Sequence, residues 1–224
     1  MPKSTDRVLV GASKPFSIPS GLVMSFVLSN ILTATTLDQI SRLAESSTLV
    51  DGIKTANGSV KNARFNKEIS WSTNTARAKN IRIEQALASS NDFKVIATPR
   101  HLSPFLVRPY TSGTRYNDHF DNAVLSNDGG QLSDMLLAIS LNDPEEYDGG
   151  ALALSTELKP ERYNLPTGHC VIHPTHFLHR MEEVARGTRL VSVGWIHGRD
   201  RDPLQRQTLI DLAISLSLFP NSML

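Results

Sequence analysis

Two side chains with metal-binding chemistry stand close together within residues 110–122, which read Y-T-S-G-T-R-Y-N-D-H-F-D-N. They are His119 and Asp121. On an extended segment, residues two apart point to the same face, so an imidazole nitrogen and a carboxylate oxygen lie side by side. That pairing suits a divalent first-row metal. By itself it equally suits the polar alternation of an exposed strand.

A second stretch, residues 173–195, reads H-P-T-H-F-L-H-R-M-E-E-V-A-R-G-T-R-L-V-S-V-G-W. It offers a third ligand, His179, and ten residues later an arginine, Arg189, inside an apolar run. Two histidines and one carboxylate make a facial triad that leaves adjacent metal positions open. An arginine buried near them needs an anionic partner. A dicarboxylate that chelates iron at one end and pairs with arginine at the other answers both demands, and 2-oxoglutarate is such a molecule. His173 and His176 lie within one loop of His179 and stand as alternative ligands or as groups around the site. His101, His169 and His197 read as structural or surface residues. Trp195 shares a strand face with Arg189, Val191 and Val193, as a pocket wall or as ordinary core. Asn122 reads as a turn residue.

These groups converge only if short strands carry them. Residues 23–32 are apolar and β-prone, a strand entering the core rather than a targeting segment. A helix starts at Thr36, with Asp38 in its first turn and Leu37, Ile40 and Leu43 at helical spacing, and ends near Ser46. Residues 54–67 are polar, a solvated loop or a substrate-facing one. A second helix covers 77–88. Residues 93–99 read as a strand, and 102–110 continue as strand with bends at Pro104 and Pro109. The run 132–141 is strand or short helix. Turns at Asp148-Gly149-Gly150 and Pro166-Thr167-Gly168 lead into strands at 151–155 and 169–173, and 188–197 is the last strand. Leucines and an isoleucine from 204 to 218 suggest a terminal helix packed on the sheet. Helices first, then many short strands with Gly and Pro turns, indicate an α+β chain built on a jelly-roll, with helices on one sheet and a mouth able to hold a metal and a small ligand. The expected division is an arm over 1–22 and a single domain over 23–224, its C-terminal helix beginning near 202.

Composition narrows the class. The chain has 224 residues, 40% hydrophobic and 20% charged, with a formal net charge of +1. That size supports a substantial core, and so neutral a balance gives no support to nucleic-acid binding through a large basic surface. No apolar run is long enough to span a membrane. Cys170 is the sole cysteine, so an intramolecular disulfide is excluded and a reducing, cytoplasmic setting is expected. Its strand-like surroundings mark it as a small buried hydrophobe.

Three motifs in order, Y-T-S-G-T-R-Y-N-D-H-F-D-N-A, L-N-D-P-E-E-Y-D-G-G-A-L and H-P-T-H-F-L-H-R-M-E-E-V-A-R-G-T-R-L-V-S-V-G-W-I, resemble the PKHD-type hydroxylases. These are bacterial iron(II)/2-oxoglutarate dioxygenases related to prolyl 4-hydroxylases. The resemblance covers roughly residues 23–216. It implies a double-stranded β-helix with iron held by His119, Asp121 and His179. It implies that Arg189 binds the distal carboxylate of 2-oxoglutarate and that Tyr110 also reaches it. His173 and His176 stand where the family usually has a tyrosine and a small polar residue, and His197 replaces a common glutamine. These departures bear on the substrate and the oligomer, not on the iron chemistry.

The implied activity is hydroxylation of a C–H bond, with 2-oxoglutarate decarboxylated to succinate, O2 as oxidant and ascorbate (vitamin C) as a candidate reductant. Related halogenases lack the carboxylate ligand, so Asp121 argues for hydroxylation. The substrate is peptidyl or prolyl, a free amino acid or a small metabolite, and a homo-oligomer is open. Two rival readings are a non-catalytic cupin-like metal-binding module and a zinc hydrolase. Neither needs an arginine at the depth of Arg189.

Overall fold

The computed structural model describes residues 8–9, 25–45, 48–51, 64–65, 67–70, 73–121, 124–125, 131–156 and 159–218. Strands β1 (Val8–Leu9) and β2 (Phe26–Leu28) precede helix α1 (Ala34–Glu45), and β3 (Thr48–Asp51), β4 (Arg64–Phe65) and β5 (Lys67–Ser70) follow it. Helices α2 (Thr73–Ser89) and α3 (Asn91–Ala97) come next. Then come β6 (Pro99–Leu102), β7 (Leu106–Thr111), β8 (Arg115–His119), β9 (Val124–Leu125), β10 (Gln131–Leu132) and β11 (Met135–Ser140). The chain continues through β12 (Tyr147–Gly149), β13 (Leu152–Ser155), β14 (Pro160–Tyr163), β15 (Cys170–Pro174), β16 (Leu178–Met181) and β17 (Val184–Gly198) to α4 (Pro203–Leu218).

Two sheets face each other. The major sheet runs β1-β2-β15-β11-β17-β12, with β6 and β7 also paired to β17, and the minor sheet runs β14-β13-β16-β8-β4. Between them lies one apolar cluster, including Val27, Leu136, Ala138, Leu152, Leu154, Val171, Val191 and Val193. A second cluster lies between the major sheet and the helices, and takes Ile40, Ile83, Leu87, Phe93 and Ile96 together with Leu137, Ile139 and Ile172. The expected α+β jelly-roll with helices on one sheet is the fold that forms.

Strand β11 shows why its sequence left strand and helix both open. Every residue of it is buried. Leu137 and Ile139 face the helices while Leu136 and Ala138 face the minor sheet. A strand covered on both sides loses its polar alternation, and period alone cannot then separate it from a buried helix.

The strand expected over 93–99 is a helix, α3, that stops at Ala97. Ser90 caps it, its hydroxyl accepting from the Phe93 N–H at 3.1 Å, and Asp92 sits in the first turn. Phe93, Ile96 and Ala97 recur at helical spacing and bury against the core. That burial outweighs the β-preference of Phe93 and Val95. Thr98 then ends the helix in the left-handed region.

Helix α2 is tied to the gap between β6 and β7. The Lys79 ammonium donates to the Phe105 carbonyl, and the Phe105 N–H donates to Asn80 Oδ1 at 3.1 Å. Pro104 interrupts the ladder here, and the side chains of α2 take over the backbone groups it leaves. Helix α4 packs against α3, burying Ile210 and Arg206 while Leu204 and Leu212 stay exposed. No helix among the described residues is long and apolar enough to cross a membrane. Of the polar stretch 54–67, the last residues form β4 and the start of β5, while 54–63 and Asn66 lie outside the described residues, as does most of the 1–22 arm. Cys170 is fully buried, and burial pushes its thiol well above the ordinary range.

Candidate metal centre

Strands β8 and β16 are antiparallel neighbours, and His119 pairs directly with His179. Their rings lie 4.2 Å apart between centroids. The chain leaves β8 at His119 and carries Asp121 back over the pair. Asp121 Oδ1 lies 4.0 Å from His119 Nε2, and Oδ2 lies 3.9 Å from His179 Nε2. One ligand atom from each of the three residues falls within 4.8 Å of the others. Both histidines are buried.

The proton positions follow from the backbone. His119 Nδ1 lies 2.7 Å from the Asn117 carbonyl, and His179 Nδ1 lies 2.9 Å from the Phe177 carbonyl. A carbonyl only accepts, so in each ring Nδ1 carries the hydrogen and Nε2 presents a lone pair. This is the form in which imidazole binds a metal, with its other nitrogen oriented by a protein acceptor. Tyr116 stacks on His119 at 3.6 Å between ring centroids. The Trp195 indole N–H donates to Asp121 Oδ2 at 3.1 Å. Two oriented lone pairs and one anchored carboxylate fit a divalent first-row cation.

A second polar place lies deeper between the sheets. Arg189 on β17 pairs directly with Tyr110 on β7, and both are almost fully buried. One Arg189 Nη donates to the Gly150 carbonyl and touches the Met181 sulfur. Its Nε has no hydrogen-bond partner, and the buried Tyr147 hydroxyl stands beside the guanidinium. Gly150 lets the backbone come this close, because at its φ of +65° a side chain would be strained, and a Cβ would sit 2.8 Å from Val184. Burial pushes the Arg189 guanidinium down from its ordinary value, with Tyr147 and Tyr110 opposing. Burial likewise raises the Tyr147 hydroxyl, with the charge of Arg189 opposing. No ion pair holds Arg189 among the described residues, so a buried cation with a free Nε lies beside the Tyr147 and Tyr110 side chains. A carboxylate fits there.

The structure therefore brings together His119, Asp121 and His179, and separately Arg189 and Tyr110. His173 is fully buried with its ring 5.0 Å from that of His179, but it lies outside the triad. Burial first, then the neighbouring His179, pushes its pKa down to about 3. His176 is exposed beside Phe177. His101 and His197 pair across β6 and β17, and His169 turns back to the Thr167 carbonyl. Asn122 lies outside the described residues. Sequence reasoning assigned no role to Tyr147, Tyr116 or Arg108. The even spacing of Arg108 and Tyr110 on β7 was the available signal for Arg108, whose guanidinium lies 5.9 Å from the Trp195 ring centre. Tyr147 stands in the E-E-Y-D-G-G motif, but only the turn through Gly149 and Gly150 carries it to Arg189.

The 2OG-Fe(II) oxygenase superfamily profile matches residues 105–197. A PKHD-type hydroxylase of Thermosynechococcus vestitus is 36% identical over 88% of this chain and 88% of its own length. One from Picosynechococcus is 34% identical over 89% of this chain and 90% of its own. Among solved structures, a Pseudomonas putida prolyl-4-hydroxylase superposes with a TM-score of 0.54 at 15% identity, covering 79% of this chain and 93% of that one. A Trichoplax adhaerens prolyl hydroxylase, solved with a hypoxia inducible factor peptide fragment, gives 0.57 at 16% identity over 83% and 86%. With its fold, its His-Asp-His cluster and relatives matched over most of its length, this chain belongs to the PKHD-type hydroxylases, a family of 2OG-Fe(II) oxygenases.

Proposed function

We propose that this chain hydroxylates a C–H bond of an organic substrate and decarboxylates 2-oxoglutarate to succinate and CO2 as it does so. One oxygen atom of O2 enters the alcohol and the other enters succinate. The observation that carries the reading is the joint placement of two Nε2 lone pairs and one carboxylate on one side, with a buried guanidinium lacking an anion on the other.

In this reading His119, Asp121 and His179 hold Fe(II), which when bound supplies the redox chemistry. The Asn117 and Phe177 carbonyls keep both rings in the ligating tautomer. Trp195 fixes one oxygen of Asp121, leaving the other oriented toward His119. Arg189 receives the distal carboxylate of 2-oxoglutarate in a charge-assisted contact, and Tyr110 and Tyr147 flank it. Neither a non-catalytic metal-binding module nor a zinc hydrolase calls for a buried guanidinium at that place. The substrate is a peptidyl or prolyl group, a free amino acid or another small metabolite.

The test is succinate formation from 2-oxoglutarate with Fe(II), ascorbate and O2. His179→Ala is expected to lose both iron retention and turnover. Normal iron stoichiometry in that variant would overturn the ligand assignment.

A further inference from the structure

A second polar cluster closes the gap between the two sheets beside the triad. One cross-strand row of the minor sheet runs Glu161, Leu154, His179, His119. Leu154 belongs to the core between the sheets, so Glu161 turns toward that same interior. On the major sheet, Ser25 precedes Phe26, which pairs with Ile172. Alternation then sets Ser25 on the Val27 side, abreast of His173. The Ser25 hydroxyl donates to Glu161 Oε2 and lies 2.8 Å from the Tyr163 hydroxyl, which donates to the same oxygen at 2.7 Å. Both bonds use Oε2, and Oε1 accepts none among the described residues.

His173 completes the set. It is fully buried, and its Nδ1 lies 2.9 Å from the Pro174 carbonyl, so that nitrogen carries the hydrogen. Its Nε2 is then a lone pair, and it has no partner. The wall beside the triad thus offers acceptors, one of them charged. 2-Oxoglutarate cannot satisfy them, because both its carboxylates and its keto oxygen are themselves acceptors. The groups call for a ligand with N–H donors and a positive charge.

We propose that Glu161 and His173 form the subsite for the prime substrate, and that this substrate carries a protonated amine. The inference rests on the oxygenase reading of the triad. In it, Glu161 Oε1 pairs with the ammonium and His173 Nε2 accepts a further N–H, which orients a neighbouring C–H bond toward the metal position. Ser25 and Tyr163 hold the carboxylate in place.

The experiment uses the full chain with Fe(II) and 2-oxoglutarate, and the common free L-amino acids and their Nα-acetyl derivatives as probes. Amino acids are expected to stimulate succinate formation, and acetylation to reduce the stimulation by about tenfold or more. For the best stimulating amine, Glu161→Gln and His173→Phe should each raise KM by about tenfold with a smaller change in kcat, and His173→Gln, which keeps an acceptor, should recover most of the loss. Equal stimulation by the acetylated probes, an unchanged KM in Glu161→Gln, or no stimulating amine overturns the proposal. Ring-nitrogen NMR of the zinc- and 2-oxoglutarate-loaded chain is expected to show His173 Nε2 unprotonated and unshifted by zinc. A protonated or zinc-bound Nε2 overturns it too. Metal-dependent binding of 2-oxoglutarate, read by calorimetry, separates the failures. Its absence sinks the oxygenase reading, whereas its presence with an unresponsive Glu161→Gln sinks this inference alone.

Discussion

The Trp195 indole N–H donates to Oδ2 of Asp121 at 3.1 Å, across 74 positions of sequence. Asp121 lies just beyond the end of β8 and so lacks a ladder to hold it. Trp195 supplies the missing constraint from the rigid strand β17. Trp195→Phe keeps the apolar ring and removes the donor. Loss of such an outer contact typically lowers metal affinity about 10–100-fold. Competition between the protein and a chelator for Co(II) or Fe(II) measures this, and an unchanged dissociation constant would show that Asp121 is oriented without Trp195.

Arg189 has no anion among the described residues and is 3% exposed. Charge-assisted hydrogen bonds contribute roughly 1.5–3 kcal/mol net, so Arg189→Ala is expected to weaken 2-oxoglutarate binding by about ten- to a hundredfold. Iron should still bind, since the triad stands on other strands. A KM for 2-oxoglutarate that does not move would mean another residue holds the cosubstrate.

Lys79 gives a pH signature remote from the site. Burial lowers its pKa from 10.5 to about 8. Below about pH 8 the lysine is charged in both folded and unfolded chains, and the cost of burying the charge is felt in full. Between pH 8 and 10.5 the folded state releases the proton while the unfolded state keeps it, so stability rises with pH in that window. The rise is roughly 3 kcal/mol. Lys79→Met should remove it, leaving the variant more stable relative to wild type at pH 7 than at pH 10.5. Parallel stability curves from urea unfolding at several pH values would contradict this.

Gly187 sits at φ +76°, where a Cβ would lie 2.3 Å from the Glu146 carbonyl oxygen. The obstacle is backbone, paired between β12 and β17 at Tyr147, so it cannot swing aside. Gly187→Ala should destabilise the fold by about 1–3 kcal/mol. The urea midpoint should fall with an unchanged m-value. Because Tyr147 lies on the displaced strand, weaker 2-oxoglutarate binding is expected alongside.

Much of the site was legible in residue types. A histidine and an aspartate two apart, a later histidine and an arginine ten beyond it point to a metal and an anion, because few other side chains do that chemistry. The fold class was legible from turns and short apolar runs, since Gly and Pro constrain backbone locally. Where burial overrides local preference, the sequence misled, as at α3, whose β-prone residues follow a serine cap and face the core at helical spacing.

Tertiary structure alone decided which distant groups meet. Nothing in sequence spacing sets Trp195 against Asp121, Tyr147 against Arg189, or Ser25 against Glu161. Those contacts depend on strand register and on the closure of one sheet over the other. Register is a collective property of many backbone pairs, and a slip by one residue would turn each of these side chains to the opposite face. Residue chemistry determined what this protein could bind, and the pairing of β16 with β8 and of β17 with β7 decided that the candidate binding groups share one interior.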